Sequence, residues 1–191
     1  YALDEKVVLD EKAWPGLWAP YKSAFDAARA PERTRRGERF PDLALTDPAG
    51  RPFKVSDLRG RVVLLHFWGT WCPSCVQELP QFAPLRSTLA DVKDLAFVFS
   101  QVREPAEVAR RWLQRHKLAL PLYDSGARGG ADDRLRLADG RRITDRVLAP
   151  GFPTTYVLDR HGLVVFSHRG SASDWREYAP FLRHLALHAP K

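Results

Sequence analysis

An α/β fold with a central sheet containing parallel neighbours is the architecture this sequence predicts, and three observations predict it. Arg61 to Phe67 is a β-branched, apolar run suited to a strand buried on both faces. It leads into residues 74–90, where Cys75, Leu79, Phe82, Leu85 and Leu89 recur at helical spacing. A second apolar run, Leu95 to Phe99, precedes a second helical pattern from Pro105 to His116, with Val108, Trp112 and Leu113 inward and Arg110, Arg111 and Arg115 outward. Strand alternating with helix builds such a sheet because each helix carries the chain back across the sheet face.

Taken in order, residues 1–39 read as an extension carrying a helix, with Trp18, Tyr21 and Phe25 on one face behind Pro20 and a charged connector from Arg29 to Gly37. Residues 40–191 form the main domain. Phe40 to Gly60 reads as a β-hairpin: Leu43 and Leu45 alternate, Asp47-Pro48-Ala49-Gly50 turns, and Phe53 and Val55 alternate on the return. After the central strand–helix pairs, Leu118 to Tyr123 is a short apolar segment. Residues 125–142 are polar and charged, an insertion with a hairpin-type turn at Asp139-Gly140. Thr154 to Asp159 and Leu163 to Phe166 form a second hairpin about Arg160-His161-Gly162. A last helix from about Ser173 to His188 carries Trp175, Tyr178, Phe181, Leu182 and Leu185.

Composition narrows the function classes. With 45% hydrophobic and 28% charged residues over 191 positions, the chain has the balance of an ordinary globular protein. No apolar run approaches the roughly 20 residues of a membrane helix, so stable insertion into a bilayer is not expected. The net charge of +7 comes from Lys and Arg scattered among acids, which fits a solvated surface better than a nucleic-acid stripe. Tyr1 and the absence of methionine are consistent with a removed signal, a trimmed anchor or an arbitrary boundary.

Both cysteines of the chain, Cys72 and Cys75, lie in Phe67-Trp68-Gly69-Thr70-Trp71-Cys72-Pro73-Ser74-Cys75, where a strand turns into a helix. A core of this size needs no staple, and so short a loop constrains the unfolded chain little, so the pair is chemical rather than structural. Zinc would want further ligands at matching spacing, and Val76 stands where haem attachment needs histidine. His184 and His188 share a helix face without a nearby acid or cysteine and read as surface residues.

These residues resemble the TlpA/ResA/CcmG branch of the thioredoxin-like proteins. The likeness is carried by Gly60 to Cys75, by Glu78-Leu79-Pro80, and by Gly151-Phe152-Pro153-Thr154-Thr155 far downstream. It spans about Phe40 to the C-terminus and leaves the first stretch and the insertion unmatched. The resemblance implies a thioredoxin fold, thiol–disulfide exchange, and a periplasmic or other extracytoplasmic location. It also implies a narrow set of protein clients, such as apocytochromes c, and a membrane-bound electron donor.

Exchange requires an exposed thiolate and a second thiol that resolves the mixed disulfide. Cys72, placed at a helix start whose free N–H groups stabilise a thiolate, takes the first role; Cys75, one turn inward, takes the second. Pro73 suits the first helical position, and Ser74 completes the dipeptide between the thiols. Glu78 is where the related reductases keep a glutamate near the cysteines, and it is expected to accept or return a proton; otherwise it is a solvent-facing helical acid. His66 replaces the aspartate of thioredoxin proper and either relays protons or fills the core with one satisfied hydrogen bond. Pro153 is expected to be cis, facing the cysteines and exposing the Phe152 backbone to a client strand. Trp71 contributes an apolar rim, and Trp68 either joins it or packs inside.

The expected function is a disulfide reductase with no cofactor beyond the Cys72–Cys75 disulfide and no metal. The alternatives are an oxidase or isomerase using the same residues, a peroxiredoxin-like peroxidase, and a copper-binding module using the two thiols.

Overall fold

The computed structural model describes residues 37–188; the expected helix around Trp18, Tyr21 and Phe25 lies outside them. The central strand of the first prediction is β3 (Val62–Trp68), and all seven of its residues are buried. It lies between β4 (Leu95–Gln101), which runs parallel to it, and β8 (Thr154–Leu158), which runs antiparallel. The sheet continues through β5 (Leu122–Asp124), parallel to β4, to the hairpin of β1 (Ala44–Thr46) and β2 (Pro52–Lys54). On the other side β9 (Val164–Arg169) closes the order β2-β1-β5-β4-β3-β8-β9. This mixed sheet with helices packed on it is the thioredoxin arrangement.

Alternation along β3 divides the apolar residues between two cores. Val62, Leu64 and Trp68 belong to one, with residues of α1 (Pro73–Glu78), α2 (Phe82–Thr88), α3 (Ala106–Arg115) and α4 (Ala179–His188). Val63, Leu65 and Phe67 belong to the other, which is covered by Phe40, Leu43, Leu45 and Leu58 from the N-terminal side and by Leu135, Leu137 and Leu148 from beyond β5. The first core therefore carries the helices, and with them the cysteine pair.

The helical pattern over residues 74–90 is not one helix. A 3-10 turn, Leu79–Gln81, separates α1 from α2, because Pro80 has no N–H to donate and its ring opposes the carbonyl one turn back. The last helix likewise starts later than its pattern. Asp174 accepts the Arg176 N–H at 2.9 Å and caps a 3-10 turn, Trp175–Tyr178, before α4 begins.

The insertion forms a hairpin whose second strand runs past its expected end at residue 142: β6 (Arg134–Arg136) pairs with β7 (Arg142–Thr144), turning at Gly140 with φ +87°. It is anchored rather than loose. Leu135 and Leu137 are buried in the second core, and the Ala138 N–H donates to the Asp42 carbonyl at 2.8 Å.

Candidate active site

The loop leaving β3 is shaped around Trp71. A Cβ on Gly69 would stand 2.2 Å from the indole nitrogen, so only glycine lets the ring fold back over the loop. That nitrogen donates to the Val102 carbonyl at 2.9 Å, while 43% of Trp71 stays exposed. Thr70 is held by Glu104, whose carboxylate accepts the Thr70 N–H at 2.8 Å and also bonds the Thr70 hydroxyl. Trp68 takes the inner of its two alternatives: it is fully buried, edge to face with Trp112 at 6.0 Å.

Cys72 is the N-cap residue of α1, with Pro73 at its first position, and its sulfur accepts the Cys75 N–H at 3.2 Å. The two sulfurs are joined in a disulfide of 2.15 Å, with Cys72 5% exposed and Cys75 fully buried. In the reduced form the same N–H would donate to a Cys72 thiolate, which favours the ionised thiol. The Ser74 hydroxyl lies 3.4 Å from the Cys72 sulfur and 3.4 Å from the Phe152 carbonyl oxygen, tying the start of α1 to a segment 78 residues away.

That segment is the wall of the site. The Phe152–Pro153 peptide is cis, and the Phe152 ring meets Trp71 edge to face at 5.2 Å. The Arg103 guanidinium sits over both rings, 5.7 Å from Trp71 and 5.3 Å from Phe152. Arg103 has a left-handed backbone, φ 59°, and a two-pronged ion pair with Asp145 at 2.6 and 2.7 Å. Asp145 is 1% exposed and directly follows β7, so the segment just beyond the insertion reaches the rim through this pair.

Behind the disulfide, Glu78 is 1% exposed rather than solvent-facing, three residues beyond Cys75 on the same face of α1. One carboxyl oxygen accepts the Ala172 N–H at 2.9 Å and the Trp175 indole N–H. Among the described residues the other has no hydrogen bond; it lies 3.9 Å from Nε2 of His66, which is fully buried and likewise unbonded at that nitrogen. The His66 Nδ1 pairs with the Thr155 hydroxyl at 2.8 Å. Burial pushes the Glu78 carboxyl up to about 7, against the pull of the bonds from Ala172 and Trp175. Burial alone pushes the His66 imidazole down to about 3. Near neutral pH burial therefore keeps the imidazole uncharged and leaves the carboxyl beside it populated in both protonation states.

The structure thus gathers Trp71, Cys72, Pro73, Ser74, Phe152 and Pro153 around the disulfide, with Glu78 and His66 on its inner side. Sequence reasoning missed Arg103, Glu104 and Asp145. The signal available was an Arg-Glu-Pro at the end of an apolar strand, but the partner of Arg103 is 42 residues distant among many acids.

Similarity to known proteins agrees with this geometry. The redoxin family profile matches residues 35–179. The thioredoxin-like protein YneN of Bacillus subtilis (strain 168) is 28% identical over 138 residues, 72% of this chain and 73% of YneN. The thiol-disulfide oxidoreductase ResA of Geobacillus thermodenitrificans (strain NG80-2) is 30% identical over 128 residues, 67% of this chain and 66% of that protein. A crystal structure assigned as thiol:disulfide interchange protein DsbE from Chlorobium tepidum matches with a TM-score of 0.59 and 25% identity, over 79% of this chain and 96% of that one. The thioredoxin fold, the Cys72–Cys75 disulfide and a family match over most of the length together place this chain in the redoxin family, as a thiol-disulfide oxidoreductase of the ResA/DsbE type.

Proposed function

We propose that the protein is an extracytoplasmic disulfide reductase acting on a narrow set of protein clients, with apocytochromes c as the first to test. The reading rests on one observation: a buried carboxyl with a pKa near neutrality, Glu78, lies one turn from a fully buried Cys75, while Cys72 is linked through the Ser74 hydroxyl to the carbonyl of the cis Phe152–Pro153 segment.

In the dithiol form the Cys72 thiolate attacks a client disulfide, forming a Cys72–client bond and releasing one client thiolate. Cys75 then loses its proton to Glu78 and attacks the Cys72 sulfur, and the second client thiolate leaves. The enzyme ends as the Cys72–Cys75 disulfide and the client gains two electrons; a membrane-bound dithiol donor reverses the change. No metal or cofactor beyond the disulfide takes part. Trp71 and Phe152 grip the client's apolar side chains, and the Phe152 backbone offers strand-like pairing. His66 assists by remaining neutral beside Glu78, so that the carboxyl can hold its proton without an adjacent positive charge.

Equilibration of the Cys72–Cys75 pair against glutathione tests the direction. A potential at or below about −200 mV is expected; one near the roughly −120 mV of strong oxidants overturns the reductase reading in favour of an oxidase. For the client, Cys75→Ala should accumulate mixed disulfides through Cys72 in the native compartment. Capture of apocytochrome c supports that client, and its absence among the trapped partners removes it.

A further inference from the structure

At the active-site end of the sheet the insertion hairpin and the edge of β1 enclose a cavity of about 440 Å³ lined by Arg128, Arg134, Arg136 and Arg142, with Asp124 and Asp132. Four guanidinium groups face two carboxylates, and both carboxylates are already engaged. Asp124 accepts from the Gln101 amide and the Gly126 N–H at 2.7 Å each, and Asp132 accepts the Arg128 N–H at 3.0 Å. Arg134 reaches Asp133 at 3.6 Å, a loose exposed pair. Among the described residues the guanidinium groups of Arg128, Arg136 and Arg142 have no carboxylate partner.

The hairpin carries a cost that the fold does not need. Arg136 and Arg142 are directly opposed across the β6–β7 ladder, where like charges repel, and Arg134 projects from the same face two residues along. The inner face, Leu135 and Ile143, already anchors the hairpin to the second core. Three arginines are therefore displayed into one cavity without any structural return.

Position gives the cavity its occupant. Trp68, Gln101 and Asp124 form one register row across β3, β4 and β5, so the cavity wall at Asp124 stands two strand spacings, about 10 Å, from the strand end that leads into Cys72. We infer that this cavity is a docking site for an acidic segment of the protein client, a stretch of Asp and Glu flanking the disulfide presented to Cys72. The inference rests on the disulfide-exchange reading for the client's orientation. The acidic segment pairs with the three hairpin arginines Arg134, Arg136 and Arg142, steers the encounter, and selects clients by charge beside the cysteine rather than at it.

The test uses the intact chain, kept reduced by a small dithiol donor whose uncatalysed rate is subtracted, and three synthetic disulfide peptides that differ only in flanks of Glu, Gln or Lys. The expected kcat/KM for the Glu peptide is about tenfold above that for the Gln peptide, falling toward it near 1 M salt, where the screening length is about 3 Å. R134Q/R136Q/R142Q should abolish the preference while leaving turnover of neutral hydroxyethyl disulfide unchanged; R134K/R136K/R142K should keep most of it. Equal rates for the Glu and Gln peptides, or a preference that survives in the Gln variant, overturn the inference. Binding of a cysteine-free Glu peptide, followed by fluorescence anisotropy, decides it independently of redox chemistry: about tenfold weaker binding to the Gln variant supports the docking site, and equal binding refutes it. Failure of the wild type to reduce hydroxyethyl disulfide would sink the oxidoreductase reading alone.

Discussion

Glu78 and His66 make opposite demands on the fold, and their signs can be worked out. Glu78 is raised from 4.5 to about 7, so its favourable contribution is complete below pH 4.5 and is lost as pH rises through 7, a change on the order of 3 kcal/mol. His66 is lowered from 6.5 to about 3, so its contribution is complete above pH 6.5 and is lost as pH falls toward 3. The two slopes offset one another between about pH 4.5 and 6.5, leaving a plateau with losses on either side. Urea unfolding of the oxidised protein across pH should show that plateau. In Glu78→Gln the opposing slope is gone, so the plateau should be replaced by a steady loss from about pH 6.5 toward 3, and the small decline just above 6.5 should disappear; identical profiles for the two proteins would show that Glu78 is not the buried acid responsible. On the proposed mechanism, Glu78→Gln should lower client reduction by about 10²-fold while alkylation of Cys72 in the reduced protein proceeds, because that mechanism uses Glu78 only for the proton of Cys75.

At the scale of elements, the segment after β4 deserves the next mutation. Arg103→Ala removes the cation between Trp71 and Phe152 and strands Asp145, a buried carboxylate. A rise of about tenfold in KM for a protein disulfide is expected, with hydroxyethyl disulfide turnover little changed; an unaltered KM would separate the rim from client binding. Asp145→Asn should cost about 2 to 3 kcal/mol in unfolding experiments, since the half-buried Arg103 loses its counter-charge. How these elements stand in the sequence is uneven. β3, β4 and the β8–β9 hairpin are legible because apolar runs and the Arg160-His161-Gly162 turn are local signals. The division of residues 74–90 into α1 and α2 is less so, since apolar spacing continues across Pro80 even though its backbone chemistry forbids a continuous helix. The cysteine pair and the Gly-Phe-Pro-Thr segment announce themselves as motifs. The Arg103–Asp145 pair does not, because an ion pair between distant residues leaves no periodicity in a chain with 30 basic and 23 acidic side chains.

For the molecule as a whole, stability resides in the two cores on either side of the sheet, and the disulfide adds little. Closing so short a loop is worth about 2 kcal/mol by the loop-entropy relation, against about 4.7 for a loop of 100 residues. Reduction should therefore lower Tm by no more than about 8 °C and leave a single cooperative transition; a larger fall, or two transitions, would mean that the disulfide holds a core together. The bonds that complete the site span most of the domain: Ser74 to Phe152 over 78 residues, Glu78 to Ala172 over 94 and to Trp175 over 97. During synthesis this sets an order of appearance. The thiols emerge long before the cis-proline wall, and the donors that hold Glu78 come later still. An unfinished chain has reactive sulfur without client selection, and discrimination arrives only when the last hundred residues have folded onto the first.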